Sequence, residues 1–197
     1  MSQIHQPNQP NIMEVDWSKI PAPEDDGGTK HLKNMTLPPV ALQATDGSKV
    51  TLASQQGRIV VFAYPRTGEP GQIALVDDWD MIPGARGCTP QTCSFRDLFK
   101  DLKEAGASGV FGLSTQSHEY QKAMTDRLHV PFPVLSDEKL ELTKAMKLPT
   151  MEAAGLTLIK RLALIIDDGR ITHVFYPVFP PDQNASEVLA WLQDNPL

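Results

Sequence analysis

The chain has 197 residues and a mass of 21.7 kDa, which is the size of one ordinary globular domain. Its formal net charge of -6 is the wrong sign for a surface that follows nucleic-acid phosphates, so nucleic acid is not expected as a partner. The chain has only two cysteines, Cys88 and Cys93, which excludes a disulfide scaffold and a four-thiolate zinc site.

Residues 1–36 are predicted to form a proline-rich arm. Six of the 17 prolines lie in the first 39 residues, and proline interrupts both regular helices and central strands. The arm is either anchored locally by Ile12, Val15 and Trp17 or disordered, and the sequence leaves both alternatives open. Residues 37–197 are predicted to be the domain proper.

Strands and helices alternate along this domain. Asp-Gly turns between short apolar runs predict two hairpins, at 40–52 and 161–176. The run Ile59–Tyr64 is β-branched, aromatic and uninterrupted, which is typical of a central strand buried on both faces. Apolar periodicity predicts the other elements, namely strands at 110–113 and 132–135 and helices at 89–104, 118–128, 138–146 and from about 184 onward.

Polar residues before the later helices are expected to cap them. The candidates are Thr115 or Ser117, then Asp137, then Asn184 or Ser186. Between the central strand and the first helix, 66–87 has no clean period and is predicted to be a long ordered loop, a kind of segment that is usually functional or mobile. The whole pattern predicts an α/β three-layer sandwich with a mixed sheet.

No apolar run approaches the roughly 20 residues that a membrane-spanning helix needs, so no membrane partner is expected. The N-terminal sequence has neither a cationic start nor an apolar stretch of the signal-peptide type. We therefore expect a cytoplasmic protein. In that compartment free thiols are more often catalytic or redox-active than structural.

Cys88 lies where the long loop leads into the predicted helix 89–104. At a helix start a thiol faces unpaired backbone amides and the positive end of the helix dipole, which favours the reactive thiolate. The alternative role for any cysteine is that of a small buried hydrophobe. The position of Cys88 favours the reactive role.

Cys93 follows five residues later on the same predicted helix. That separation places the two Cα atoms roughly 8–9 Å apart, whereas a disulfide tolerates at most about 7 Å. The two sulfurs can therefore pair only if the first turns of the helix unwind. Pro90 favours unwinding, because a proline in the first turn donates no hydrogen bond. The other possibility is that both thiols stay reduced and unconnected.

A reactive thiolate alone does not define the substrate. If the substrate is a hydroperoxide, its reduction requires hydrogen-bond donors and a fixed cation near the sulfur and the departing oxygen. Arginine suits this role because it stays charged and presents a rigid fork of donors. The candidate is Arg161, which begins the buried run 161–167 and so lies at the end of the sheet. An ordinary salt bridge is the alternative interpretation of Arg161.

The sequence resembles the peroxiredoxins, most closely the Q-type branch, also called bacterioferritin comigratory protein. The resemblance extends from about Leu37 to Leu192. Three motifs carry it, namely Cys88-Thr89 followed by Cys93-x-Phe95-Arg96-Asp97, then Arg161 six residues before Asp167 and followed by Gly169, and then Tyr64-Pro65 at a strand end.

The resemblance implies a thioredoxin-like fold with an N-terminal β-hairpin and a thiol-dependent peroxidase that uses no metal or other cofactor. It implies that Cys88 attacks the peroxide, that Cys93 resolves the resulting sulfenic acid as a disulfide, and that Arg161 holds thiolate and peroxide. The implied partners are hydrogen peroxide or an organic hydroperoxide as substrate and a thioredoxin-like dithiol protein as reductant. A monomer or a homodimer is expected.

The sequence departs from the family in one place. The family spaces P-x-x-x-T/S-x-x-C without a gap, whereas here 66–87 separates Pro65 from Cys88 and Ala85 occupies the hydroxyl position. Thr67 can fold back to supply that hydroxyl, and Pro65 can still shield the thiol. A fainter similarity to a branch in which the cysteine after Thr-Pro is peroxidatic leaves a swap of the two cysteine roles open.

Other functions are also compatible with two thiols. A disulfide oxidoreductase without peroxidase activity is one, although its usual spacing is C-x-x-C rather than the C-x4-C found here. A copper-handling protein that uses both thiols and a histidine is another, and a redox sensor or scaffold is a third. None of the five histidines has a metal spacing such as H-E-x-x-H, so no metal site is predicted.

Overall fold

The structure of the chain is a computed structural model, and it describes residues 15–197. Its strands are β1 (Ala41–Ala44), β2 (Lys49–Thr51), β3 (Arg58–Ala63), β4 (Gly109–Ser114), β5 (Val134–Ser136), β6 (Thr150–Ala153), β7 (Leu156–Ile159), β8 (Leu162–Asp167) and β9 (Arg170–Phe175). Its α-helices are α1 (Cys88–Asp97), α2 (Phe99–Glu104), α3 (His118–Leu128), α4 (Glu141–Met146) and α5 (Asn184–Asp194). Short 3-10 helices cover Trp17–Lys19, Leu52–Ser54, Trp79–Met81 and Pro181–Gln183.

Seven strands form one mixed sheet in the order β2-β1-β5-β4-β3-β8-β9. β4 runs parallel to β3 and to β5, and the other neighbours in this sheet are antiparallel. β6 and β7 form a separate antiparallel hairpin. The predicted mixed sheet is confirmed.

The central strand β3 is buried along its whole length, and its alternate residues enter two different cores. Val61 and Ala63 pack in the core that contains residues of α4. Val60 and Phe62 pack in the opposite core, with residues of α1, α2, α3 and α5. Phe62 stacks on Phe95 of α1 with ring centroids 4.1 Å apart, which fixes α1 against the sheet. The three layers confirm the predicted thioredoxin-like sandwich.

Both Asp-Gly hairpins form as predicted, as β1–β2 and β8–β9. Gly47 and Gly169 have φ values of +89° and +78°, and glycine adopts such values without a side-chain clash. The β6–β7 hairpin was not predicted. Its turn is Ala154-Gly155, which lacks the Asp-Gly signal that marks the other two hairpins.

Two helix predictions needed correction. The predicted helix 89–104 is divided into α1 and α2, because Leu98 leaves helical geometry with a ψ of 7°. Neither Asn184 nor Ser186 caps the last helix. The 3-10 turn Pro181–Gln183 leads directly into α5, so its first residue already has helical dihedral angles.

Two predicted caps are present. The Ser117 hydroxyl accepts a hydrogen bond from the Tyr120 amide at the start of α3. α4 begins three residues later than predicted, at Glu141, yet Asp137 still serves its N-terminus. The Asp137 carboxylate accepts from the amides of Leu142 and Thr143 at 3.1 and 2.7 Å.

The described part of the arm is anchored to the domain. The Trp17 indole Nε1 donates to Asp182 at 3.0 Å, and the ring lies edge-on to Phe179. Leu32 is fully buried in the core. Ile12 lies outside the described residues, and the domain division after residue 36 stays a prediction. Within 15–197, every helix is too short or too polar to cross a membrane.

We expect Asp137→Ala to lower the free energy of unfolding by about 1–2 kcal/mol, because two amides of α4 lose their buried acceptor. Asp46→Ala is the control, since exposed Asp46 accepts a similar amide bond, from Ser48, at a turn. That variant should lose about 0.5 kcal/mol or less. Urea denaturation followed by circular dichroism measures both, and equal losses would contradict the assignment.

Candidate active site

Cys88 is the first residue of α1. The residue before it, Gly87, is in the left-handed region with a φ of +107° and offers no side-chain cap. The thiol is 3% exposed, and its Sγ lies 3.5 Å from the Ala85 carbonyl oxygen. The sulfur therefore sits at the positive end of the helix, where negative charge is stabilised.

Arg161 immediately precedes β8 and reaches this sulfur. Its Nη2 lies 3.3 Å from Cys88 Sγ and also donates to the carbonyls of Gly84, Ala85 and Arg86 at 3.0–3.2 Å. The side chain is 3% exposed. Its partners in the described chain do not include a carboxylate, so the ordinary salt bridge is not found. A buried guanidinium beside a sulfur favours the thiolate.

Gln91 is a residue of this site that the sequence did not reveal. It is fully buried on α1, and its Oε1 accepts from Arg161 Nη1 at 2.5 Å. Its Nε2 donates to Asn184 Oδ1 at 2.9 Å, which ties the site to α5. The available signal was its spacing, since a residue three positions after Cys88 shares one helix face with it.

Cys93 also lies in α1, 2% exposed and unpaired. Burial raises the pKa of its thiol, Asp97 adds to the rise, and Arg96 opposes it. Regular helix geometry keeps the two cysteine Cα atoms roughly 8–9 Å apart. The structure is therefore a reduced form in which the sulfurs cannot bond.

Thr67 and Pro65 are placed differently from Arg161. Thr67 is buried and lines the same cleft as Cys88, but its hydroxyl donates to Gln116 at 3.2 Å and not to the sulfur. The suggested replacement of the missing hydroxyl is thus not found. Pro65 is buried but is not among the described residues that line this cleft.

Tyr64, at the end of the central strand, packs in the same core as Cys88. Burial raises the pKa of its phenol, and the nearby sulfur adds to the rise. The phenol therefore stays neutral and contributes no charge to the site. Within 15–197, the His, Cys, Asp and Glu side chains form no group of three or more that could hold a metal ion.

Two side chains from distant parts of the chain close tightly over Gly87. A Cβ added there would lie 2.5 Å from Pro181 Cγ and 2.8 Å from Trp17 Cη2. Only glycine fits this position, because both its dihedral angles and its contacts exclude a side chain. The arm and the turn before α5 thus hold the residue that starts the cysteine helix.

We expect Gly87→Ala to destabilise the protein and to slow the peroxide consumption that the sequence resemblance implies. Gly106→Ala is the matched control, because Gly106 has a φ of +106° with nothing within 4 Å of an added Cβ. The control should lose about 1–2 kcal/mol from its dihedral angles, and Gly87→Ala at least about 1 kcal/mol more from overpacking. Urea denaturation and a peroxide assay test this. Identical stability and activity in the two variants would show that the contacts do not matter.

The chain is similar in sequence and in fold to known proteins. Residues 32–190 match the family model described as Redoxin. The chain is 33% identical to peroxiredoxin Q, chloroplastic, from Sedum lineare over 83% of this chain and 79% of that protein. It is 31% identical to peroxiredoxin Bcp from Escherichia coli, over 80% of this chain and 93% of that protein. The structure of peroxidoxin BcpB from Mycobacterium tuberculosis is similar with a TM-score of 0.67 and 26% identity, covering 85% of this chain and all of that one.

The chain therefore belongs to the Redoxin family, whose matched region spans the sheet, both cysteines and Arg161. Within that family it is a peroxiredoxin of the Q/Bcp type, a thiol peroxidase that acts on peroxides.

Proposed function

We propose that Cys88 is the peroxidatic nucleophile of this enzyme. The observation that carries the proposal is the 3.3 Å contact between Cys88 Sγ and Arg161 Nη2 at a helix N-terminus. The thiolate attacks one oxygen of the hydroperoxide, an S–O bond forms, and the O–O bond breaks. The departing oxygen takes a proton and leaves as water or an alcohol. Cys88 is thereby oxidised to a sulfenic acid.

Arg161 is the residue that stabilises this step. Its guanidinium faces the sulfur, and the donors of an arginine fork can also contact the oxygen on which charge grows. Gln91 holds the fork from the opposite side at 2.5 Å. The carbonyls of 84–86 fix the same group, so little reorganisation is needed when the peroxide enters.

Cys93 is the resolving cysteine in this proposal. Its thiol condenses with the sulfenic acid of Cys88, an S–S bond forms, and water leaves. The first turns of α1 must unwind before this step, because the helix holds the sulfurs apart. The hydrogen bonds to be broken include Gln91 N to Gly87 O and the Thr92 hydroxyl to Cys88 O. Pro90 contributes no amide donor to that turn.

An external dithiol protein of the thioredoxin type then reduces the disulfide by exchange. Two electrons pass from that protein to the Cys88–Cys93 bond, and both thiols return to the form seen here. We propose further that the enzyme works in the cytoplasm as a monomer or a homodimer. The only two cysteines of the chain are both free in the structure, which is compatible with a reducing compartment.

Mass spectrometry after one equivalent of hydrogen peroxide tests both cysteine roles. The wild-type protein should lose two hydrogens through an internal disulfide. Cys93→Ser should retain a single turnover and carry a trappable oxidised Cys88. Cys88→Ser should consume no peroxide, because the group that the guanidinium faces is gone.

The same experiment can reject the assignment. Full peroxide consumption by Cys88→Ser would remove Cys88 as the nucleophile. A trappable sulfenic acid on Cys93 in that variant would show that the two roles are exchanged. Ser94→Ala serves as a control for a change within α1, because it leaves both sulfurs and the two hydrogen bonds named above in place.

We expect the rate of disulfide formation to rise with pH between about 7 and 9. The pKa of Cys93 is raised in the closed helix by burial. The closed form therefore loses stability relative to the unwound form as pH rises past the ordinary thiol value of about 8.5. The attacking thiolate also becomes more abundant. Rapid quenching at several pH values measures the rate, and a rate that falls with pH would contradict this order of events.

A further inference from the structure

Cys88 opens into a cleft that is much larger than hydrogen peroxide requires. This cleft, here called the insertion cleft, has a volume of about 570 Å³. Part of its lining comes from 66–87, the segment inserted before the cysteine, and part from the end of α3 and from Val15. A water molecule takes about 30 Å³ in the liquid, and hydrogen peroxide has only one oxygen more. The volume lies in the range of sites for extended organic ligands.

The insertion cleft carries positive charge in a chain that is acidic overall. Arg66, Arg86 and Arg127 line it, against the single lining carboxylate of Glu69 among the described residues. Arg86 is already paired with Asp80. The guanidiniums of Arg66 and Arg127 have no such ion pair within 15–197.

Both free guanidiniums are held beside the inserted segment. The Arg66 guanidinium lies over the Tyr120 ring, 5.0 Å from its centroid. Arg127 Nη2 donates to the Gly68 carbonyl at 3.5 Å, a long contact that leaves most of its donors available. An arginine fork matches the geometry of a carboxylate. The two side chains are therefore suited to an anionic group on the substrate.

The rest of the lining is largely apolar. Val15, Pro70, Trp79 and Leu128 contribute carbon surface on several sides. A small neutral peroxide cannot contact the apolar lining and both guanidiniums at the same time. A substrate with both an alkyl chain and an anionic end can use both, because burial of the chain adds about 25 cal/mol per Å².

We propose that the insertion cleft makes the enzyme selective for charge, favouring alkyl hydroperoxides that end in a carboxylate over neutral ones of equal length. The peroxide reaches Cys88, the chain lies against Trp79, and the carboxylate contacts Arg66 and Arg127. Those two arginines are then specificity-determining residues supplied by the insertion and by α3. This inference rests on the proposed function of Cys88.

The test compares ω-hydroperoxydecanoate with its methyl ester, which has the same chain and peroxide but no charge. Wild-type kcat/KM should be about tenfold higher for the acid, and this preference should shrink as salt is added, because exposed charges are screened. Arg66→Gln and Arg127→Gln should each lower the rate on the acid about fivefold. Rates on the ester and on hydrogen peroxide should change less than about twofold.

Arg170→Gln is the matched control. Arg170 is exposed at the start of β9, where its Nε donates to the Asn34 carbonyl, and it does not line the insertion cleft. Its replacement removes the same charge from the chain and should leave the preference for the acid unchanged. If it reduces that preference as much as Arg66→Gln does, net charge rather than the cleft is responsible, and the proposal is overturned.

A binding measurement separates this inference from the proposed function. Decanoate, which has no peroxide, is titrated by calorimetry into Cys88→Ser, and Arg66→Gln in that background should weaken its binding about fivefold. If wild type reduces hydrogen peroxide through Cys88 but treats acid and ester alike, charge selectivity is wrong and the proposed function stands. If Arg66→Gln slows all three peroxides equally, the arginine is structural and the inference fails. If decanoate binds as expected while Cys88→Ser still consumes peroxide, carboxylate binding in the insertion cleft is supported and the assignment of Cys88 as the nucleophile is rejected.

Discussion

The rest of the site depends on one buried positive charge, the guanidinium of Arg161. A charge removed from water is costly unless hydrogen bonds satisfy it. Here three consecutive carbonyls and the Cys88 sulfur meet its Nη2, and the Gln91 amide oxygen meets its Nη1. Within 15–197, its buried Nε has no hydrogen-bond partner and no carboxylate neutralises the charge. The sulfur is the one partner that can acquire a negative charge. The 3.3 Å contact therefore places the buried cation directly against the one ionisable group among its described partners.

This arrangement also joins parts of the chain that are far apart in sequence. Arg161 immediately precedes β8, its carbonyl partners lie near the end of the inserted segment, and Gln91 lies on α1. Gln91 and Arg161 are 70 positions apart in the sequence, and the segment between them includes β4, α3 and β5. Sheet packing must therefore be complete before the site exists. The geometry of the site at the end of β3 therefore depends on the packing of that strand, which is buried on both faces.

Helix α1, which carries both cysteines, must meet two opposing requirements. It must be regular to hold Cys88 at its positive end, and it must open to let Cys93 approach. Gly87 is confined by Trp17 and Pro181, which favours the regular form. Pro90 weakens the first turn. The balance between these contacts sets how often the helix opens, so peroxide attack and resolution place different demands on one segment.

Local patterns in the sequence were sufficient for most of the fold. The uninterrupted run of β3 and the two Asp-Gly turns predicted their elements, because these signals depend on adjacent residues. α1 starts at Cys88, one residue before the predicted helix 89–104. What the sequence could not show were contacts across the chain, such as Trp17 with Asp182, which are 165 residues apart. The hydroxyl bond of Thr67 to Gln116 is also of this kind, since it depends on where the inserted segment lies in three dimensions.

The packing of Trp17 and Pro181 against Gly87 limits which truncated or tagged forms of this protein keep the site intact. The family-matched span begins at residue 32 and ends at residue 190, within α5. Expression of that span alone would remove the Trp17 indole, which packs against Gly87 at the start of α1. It would also delete Asn195, whose carbonyl accepts from Arg58 on β3. A minimal version of the enzyme should therefore keep both flanks, and an affinity handle is better attached after Leu197 than just before Val15.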